Sequence, residues 1–345
     1  MERVGIDLGA FEIVTAAEGG KKLYRESASV AIGRSDGAFL GIGADAKRYV
    51  GKEDSPAVLR PIFEERIVVP SYTKAAIAHS LMHLGEPEGA SVFMSVPCGF
   101  EEVEEAALAE MAIQAGASEV HFLYSPLAAL AGNGLDPGNS GIVVDIGAAR
   151  TDVMILCHGR IFYKNTYKAA GGAFDRAIAE YLLRKHKVRI SLQSAEQIKQ
   201  RIGTVWVGDE KKYVDVRGRD AKSNECCSVR ICSEEMFTAL EEPMAALIEA
   251  VCDTITRIPS DCVQEVFDTG ILLCGGGCLL DGLDKMISGV TGVNAMRLRD
   301  PCETVARGLA LLHKRLPNAK EAGTLNISRY FIKNAVSPQE GMLLS

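Results

Sequence analysis

The sequence predicts an α/β protein built from two related domains that face each other. Three observations predict it. At 345 residues the chain is long enough for two cores, since one core usually takes ~100–200 residues. Short apolar strands alternate with amphipathic helices along most of its length, the pattern of strand–helix–strand units. A six-residue pattern also occurs twice, as Gly5-Ile6-Asp7-Leu8-Gly9-Ala10 and as Val143-Val144-Asp145-Ile146-Gly147-Ala148. Each copy is an apolar strand with an aspartate near its end that stops at Gly-Ala, and hairpin-like strands follow each. Repetition on that scale reads as a duplicated domain.

The first copy opens strands at 4–8, 13–15 and 22–24, the last two at hairpin distance. Residues 27–70 are less regular and hold a subdomain at about 28–69. Ala76, Ile77, Leu81 and Leu84 have helical spacing and place a helix over 73–84. A strand over 91–96 is closed by Pro97. The helix over 101–115 has glutamates in its first turn, where the helix dipole favours them. A strand at 120–123 and an Ala-rich helix at 126–132 complete a first domain, 1–138, with its core in 1–27 and 70–138.

At Gly141 the pattern restarts, with strands over 141–147, 152–156 and 160–163 and a helix over 174–187. Residues 206–231 are polar, with strand-like pieces at 213–216 and 228–232 around a charged middle. They fall in an inserted subdomain at about 188–244. Residues 233–258 read as one long helix or two, interrupted at Pro243. A strand and glycine turn at 270–277 and helices at 279–290 and 304–316 complete a second domain, 139–316, with its core in 139–187 and 245–316. Residues 317–345 carry little pattern and read as a segment on the first domain or a loose tail.

The composition is 47% hydrophobic and 24% charged, which excludes extensive disorder. Lys and Arg number 38 against 45 Asp and Glu, a net charge of −7. That is the wrong sign for general nucleic-acid binding, which depends on neutralising phosphates. No apolar run reaches the ~18–20 residues of a membrane span, and Met1 leads into a charged strand rather than a signal peptide. The expected location is the cytoplasm. Of the ten cysteines, Cys226, Cys227 and Cys232 cluster loosely, and Cys274 and Cys278 flank glycines. Neither spacing fits a zinc ribbon or a disulfide framework, so they read as buried free thiols. His79 and His83 lie four apart on a helix but have no third ligand in view, and read as surface histidines.

The chemistry sits at the strand ends. A recessed carboxylate is costly unless it holds a cation or accepts hydrogen bonds, and a glycine turn after it bares amides that suit phosphate oxygens. Either aspartate alone reads as a turn cap. As a facing pair, with Gly275-Gly276-Gly277 later in the chain, Asp7 and Asp145 read as a magnesium and triphosphate site between domains. The P-loop pattern is absent.

On these motifs the chain resembles the actin-like ATPases, most closely the bacterial MreB and MamK branch. Residues 5–9 look like the first phosphate loop and 144–152 like the second. Gly171-Gly172-Ala173-Phe174-Asp175 is similar to the Gly-Gly-x-x-Asp near the sugar and phosphates, and residues 195–203 resemble a helix whose Glu196 and Lys199 approach the adenosine. Residues 275–283 resemble the adenosine loop, and 300–308 a connecting helix. The resemblance runs from residue 4 to about 316. It implies an actin-like fold, two ribonuclease-H-like domains each with a smaller subdomain around a nucleotide cleft, and ATP-dependent assembly into cytoplasmic filaments. It also implies nucleotide contacts at Asp7, Gly9, Ala10, Glu12, Gly147, Ala148, Ala149, Arg150, Gly171, Gly172, Glu196, Lys199, Gly275, Gly276, Gly277 and Leu279. Magnesium would be held at Asp7 and Asp145 through water.

Three departures from the family pattern change the expected activity. The first loop continues Gly9-Ala10-Phe11-Glu12, without hydroxyl donors and with an acid near the phosphates. The second carries Ala148, Ala149 and Arg150, where Arg150 would offset Glu12, touch a phosphate or face solvent. Ser125-Pro126 stands where the family has Glu-Pro, whose glutamate orients the attacking water. A serine is a poor base at neutral pH, so hydrolysis is expected to be slow or absent, with Ser125 and Asp145 as the catalytic positions. The acidic segment 84–90 lacks a bulky apolar pair, so no direct membrane insertion is expected. The partners expected are further copies of the chain, and an actin-like paralogue or adaptor. The alternatives are a non-polymerising chaperone-like or reactivating ATPase, disfavoured by the short chain after the last motif, and a degenerate partner that co-assembles with an active relative. A sugar kinase of this fold would need an acidic base that the sequence does not place.

Overall fold

The computed structural model describes residues 3–311 apart from 37, 50–56, 60–61, 64–65, 68–69, 86–88, 137 and 207–210. The tail at 317–345 lies outside the described residues, as do parts of the 84–90 and 206–231 segments.

The repeated sequence pattern becomes a repeated sheet. In the first, Arg3–Leu8 pairs antiparallel with Glu12–Ala17, which pairs with Lys22–Ser27. On its other side Arg3–Leu8 runs parallel to Ala90–Val96, which runs parallel to Ala117–Tyr124. In the second, Gly141–Ile146 pairs antiparallel with Thr151–Cys157 and that strand with Arg160–Tyr167, while Ile271–Cys274 and Ala295–Arg297 add parallel strands on the other side. Both five-stranded sheets therefore have the same order, and in both the repeated motif is the central strand. Central parallel strands are buried on both faces and need continuous apolar runs, which is what the two copies supply.

Five layers result. On the outer face of the first sheet, Val4, Ile6 and Leu8 meet Ala76, Ile77 and Leu81 of helix Pro70–Leu84 and Leu108 and Ala112 of helix Glu102–Gln114. On that of the second, Ile142, Val144 and Ile146 meet Phe174 and Ile178 of helix Gly171–His186, Ile198 of helix Leu192–Ile202 and Leu240 and Leu247 of helix Ser233–Ile255. Between the sheets lies a pair of helices, Ser125–Gly132 and Thr304–Leu311. Phe93 and Leu123 of the first sheet share one cluster with Val143 and Met154 of the second through Leu127, Leu130 and Leu309 of this pair.

The two middle helices approach closely because each carries a glycine at the crossing. A Cβ on Gly308 would stand 1.8 Å from the Ala128 carbonyl oxygen, and one on Gly132 1.9 Å from that of Thr304. Gly5 plays the same part beneath the pair, where a Cβ would fall 2.7 Å from the Ala306 carbonyl oxygen. Thr304–Leu311, placed by sequence in the second domain, thus packs across the first sheet, against Val14 and Ala16 as well.

Several boundaries differ from expectation. The helix expected at 279–290 spans Leu283–Thr291, because Gly282 adopts φ +78 and blocks earlier helical hydrogen bonding. Helix Ser233–Ile255 runs unbroken through Pro243, held by the buried Leu240 and Met244 on either side. The irregular 27–70 stretch contains a three-stranded sheet, Phe39–Ile42, Val30–Ile32 and Ala57–Leu59. His83 is exposed and stacks on Tyr24 at 4.2 Å, whereas His79 is half-buried with Nε2 3.3 Å from the Tyr24 hydroxyl. The expected burial of the thiols holds for Cys274 and Cys278 but not for the other group, where Cys226 is exposed and Cys227 and Cys232 are half-buried.

The crossing makes a stability prediction. Gly308→Ala should cost about 1–3 kcal/mol by overpacking, read as a lower urea midpoint. Gly289→Ala is the opposite control: it is an exposed helix position with nothing within 4 Å of the added Cβ, and should gain ~0.5–1 kcal/mol.

Candidate functional site

The two central strands point their C-terminal ends into one cleft of about 620 Å³. All the residues singled out from the sequence line it: Asp7, Gly9, Ala10, Glu12, Ser125, Asp145, Gly147, Ala148, Ala149, Arg150, Gly171, Gly172, Glu196, Lys199, Gly275, Gly276, Gly277 and Leu279. A larger depression of about 880 Å³ beside Lys74, Glu101 and Glu104 holds none of them.

The floor is anionic. Asp7 Oδ1 accepts a 2.6 Å hydrogen bond from Ser95 Oγ. Burial raises the Asp7 pKa, against the lowering effects of the Ser95 bond and Arg150. Asp145 is pushed up to about 7, by burial first and then by the negative charges of Asp7 and Asp152. Asp152, absent from the sequence-based set, is fully engaged. It accepts from the Cys98 amide at 2.9 Å, Thr166 Oγ1 at 2.5 Å and Arg150 Nε at 3.2 Å. The Cys98 contact ties a loop of the first sheet to a strand of the second.

Arg150 therefore pairs with Asp152, and neither offsets Glu12 nor faces solvent, its side chain being 14% exposed. Glu12 is neutralised by Arg25, whose Nε lies 2.7 Å from Glu12 Oε2. Arg25 was missed in the sequence because it sits on the next strand. The hairpin register, Glu12 opposite Ser27, puts Arg25 on the same face as a diagonal neighbour, and that register is the signal that finds it.

The other walls are set by backbone. Gly171 and Gly172 start their helix by donating to the carbonyls of Gly147 and Ala148 at 3.0 and 2.7 Å. Their amides brace the second turn rather than point into the cleft. Lys199 Nζ, on helix Leu192–Ile202, reaches Asp175 Oδ1 at 2.7 Å and the Gly171 carbonyl at 3.0 Å. Glu196 accepts from Gln200 at 3.1 Å. Gly275 has φ +77, and a Cβ there would lie 2.4 Å from Asp145 Oδ1. Only glycine lets the third turn close over the carboxylate. Ser125, 2% exposed, donates its hydroxyl to the Val96 carbonyl at 3.3 Å.

Twin sheets of one topology, bridged by a helix pair and sharing a cleft at the ends of their central strands, define an actin-like protein. The chain belongs to the MreB/Mbl protein family, whose model matches residues 1–321. It is 30% identical over 315 residues to the cell shape-determining protein Mbl of Bacillus cereus, covering 90% of this chain and 95% of that one. To the cell shape-determining protein MreB of Escherichia coli it is 31% identical over 317 residues, covering 88% and 91%. Its fold is similar to MreB 5 of Spiroplasma citri bound to AMPPNP, with TM-score 0.85 at 22% identity over 91% of this chain and 96% of that one. It is also similar to the MamK double helical filament, with TM-score 0.77 at 19% identity over 92% and 99%.

The carboxylate floor predicts a pH dependence. A folded pKa for Asp145 of about 7 lies above the ordinary carboxylate value, so the native state holds a proton the unfolded chain releases. The associated stability is complete below about pH 4 and is lost as pH rises through 7. In chelator, the melting temperature should fall between pH 5 and 7.5 by an amount that Asp145→Asn abolishes.

Proposed function

We propose that the cleft binds ATP with magnesium and that the chain assembles into cytoplasmic, cytoskeletal filaments that position or shape cell contents, with slow or impaired hydrolysis. The observation that carries this reading is the convergence of both Asp-Gly turns, the Gly171-Gly172 helix start and the Gly275–Gly277 turn on one cleft of nucleotide size. Its relatives of known structure include one bound to AMPPNP and one that is a filament. We read the domains as 1–138 and 139–316, with inserted subdomains at about 28–69 and 188–244.

The floor fits a hard cation. The Asp7 charge raises the cost of ionising Asp145, and Arg150, the nearby positive group, is already engaged by Asp152. Magnesium keeps several waters and takes one or two carboxylates, so these two would hold it, and it would supply charge neutralisation at the phosphates. The Ala148–Arg150 and Gly9–Glu12 turns would offer amides to phosphate, since those of Gly147, Gly171 and Gly172 are used internally. Glu196, Lys199 and the exposed Leu279 on the Gly275–Gly277 side would face the nucleoside.

Binding and hydrolysis separate at Ser125. The hydroxyl is buried and its proton is directed at a carbonyl, so it neither takes a proton nor orients water well. A missing base costs ~10²–10⁴ in rate. The same observation, with the Glu12–Arg25 pair on the first turn, favours a second reading, a nucleotide-binding partner that co-assembles with an active paralogue or through an adaptor. No described helix is long and apolar enough to cross a membrane.

High-speed pelleting with magnesium-ATP, with magnesium-ADP and without nucleotide tests the reading. Sedimentation with ATP alone is the expected result. Sedimentation in all three conditions would show assembly freed from the nucleotide. No sedimentation in any would remove the self-assembling filament and leave the partner-dependent reading. Ser125→Glu should raise phosphate release by ~10²-fold or more, and an unchanged rate would remove the assignment of position 125 to hydrolysis.

A further inference from the structure

The opposite end of the second sheet carries a cluster that the cleft does not use. Strand Gly141–Ile146 ends at the cleft with Asp145 and begins, at its other end, beside Ser140. There the hairpin turn after Thr151–Cys157 and the start of helix Val263–Thr269 meet. Ligand atoms of His158, Asp261 and Cys262 all lie within 4.8 Å of one another. His158 and Asp261 are exposed and Cys262 is buried beneath them. We propose that His158, Asp261 and Cys262 form a zinc site, with water in the fourth position, at the end of the sheet away from the cleft.

Three features of the cluster support this beyond proximity. First, the donor set is one nitrogen, one oxygen and one sulfur, which suits borderline-soft zinc and not magnesium or calcium, which take all-oxygen shells. Second, one ligand pair already stands near the separation that a shared ion imposes. Zinc bond lengths put neighbouring ligand atoms ~3.3–3.6 Å apart, and His158 Nε2 already lies 3.9 Å from Asp261 Oδ2. Third, the imidazole is braced from behind. Its Nδ1 faces Glu265 Oε2 at 3.6 Å, which leaves Nε2 directed at Asp261. Glu265 in turn accepts a 2.6 Å hydrogen bond from the buried Ser140 hydroxyl, and that same oxygen receives the His158 amide at 3.1 Å. A carboxylate behind the histidine, once closed to hydrogen-bond distance, fixes the tautomer of a zinc-binding imidazole.

The backbone holds these groups in place. His158 (φ +47) and Gly159 (φ +67) form a two-residue left-handed turn, so the histidine sits at the tip of a tight hairpin. The ion would join that tip to the 261–265 segment. Its charge would balance Asp261 and a Cys262 thiolate.

Cobalt titration of the full chain, free of nucleotide, tests the proposal separately from the cleft reading. One cobalt per chain should give a thiolate charge-transfer band and the intense visible bands of a tetrahedral site, both removed by zinc. Cys262→Ser should abolish the charge-transfer band, and Cys226→Ser, on an exposed strand, should keep it. Asparagine is favoured at this turn position, so His158→Asn keeps the hairpin and should weaken binding at least tenfold. Glu265→Gln should weaken it ~10–100-fold. The proposal is overturned if wild type shows no such band, if the band survives Cys262→Ser or vanishes with Cys226→Ser, or if a folded His158→Asn binds as tightly as wild type.

Discussion

The close crossing of Ser125–Gly132 and Thr304–Leu311 is the contact on which the rest of the molecule depends. Two sheets sandwiching one layer of helices can be no closer than that layer allows. With ordinary side chains at 132 and 308 the helices would separate by the thickness of those side chains. Glycine at both positions puts backbone against backbone, and Gly5 lets the pair settle on the first sheet. That separation sets how far Asp7 on one central strand stands from Asp145 on the other, and so the width of the cleft. Close packing with little compressibility also makes the pair a poor place to absorb strain. Relative movement of the sheets must then come from rotation about the crossing rather than from its expansion.

Above that layer the cleft is held together by groups that belong to both halves. Asp152 is the clearest case. It lies on the second sheet, yet accepts the Cys98 amide from the loop that follows a first-sheet strand. Gly99 reaches Thr166 in the same way at 2.9 Å, and Lys164 bonds the Cys98 carbonyl. These bonds leave Asp152 saturated while Asp7 and Asp145 keep unfilled acceptor capacity. The three aspartates thus have distinct parts, and Asp152 lacks the apolar-Asp-apolar-Gly context that Asp7 and Asp145 share. One is structural, and two face the cleft at an electrostatic cost that a cation would relieve.

Much of this arrangement was legible in the sequence because its signals are local. An apolar run, an aspartate and a glycine turn are contiguous, and a duplicated copy confirms the period. The departures at Ala10, Glu12 and Ser125 are equally local. What escaped was set by register or by backbone geometry. Arg25 reaches Glu12 only through the pairing of two strands. Strand Arg160–Tyr167 continues past Tyr163, where the sequence pattern ends it, through Lys164, Asn165 and Thr166, which are paired with their partner strand. Helix Val263–Thr269 went unassigned because it is seven residues long with Val266 as its buried anchor. Helix Pro70–Leu84 begins at a proline, whose missing amide costs nothing in a first turn, so its start carries no apolar mark.

The hairpin cluster belongs to the same class of feature. His158, Asp261 and Cys262 are separated by about a hundred residues, and neither stretch alone has metal-ligand spacing. They meet because Gly141–Ile146 places Thr151–Cys157 on one side and Ile271–Cys274 on the other, bringing the turn after the first beside the helix before the second. A six-residue strand spans about 20 Å, so the cluster and the cleft floor lie roughly two Debye lengths apart at physiological ionic strength. Direct electrostatic coupling between them is therefore weak. Any influence of an ion at the hairpin on the cleft must be mechanical, through a strand whose hydrogen bonds on both sides resist sliding. An ion there would then stabilise the sheet without moving the protonation of Asp145, and the two sites can succeed or fail independently.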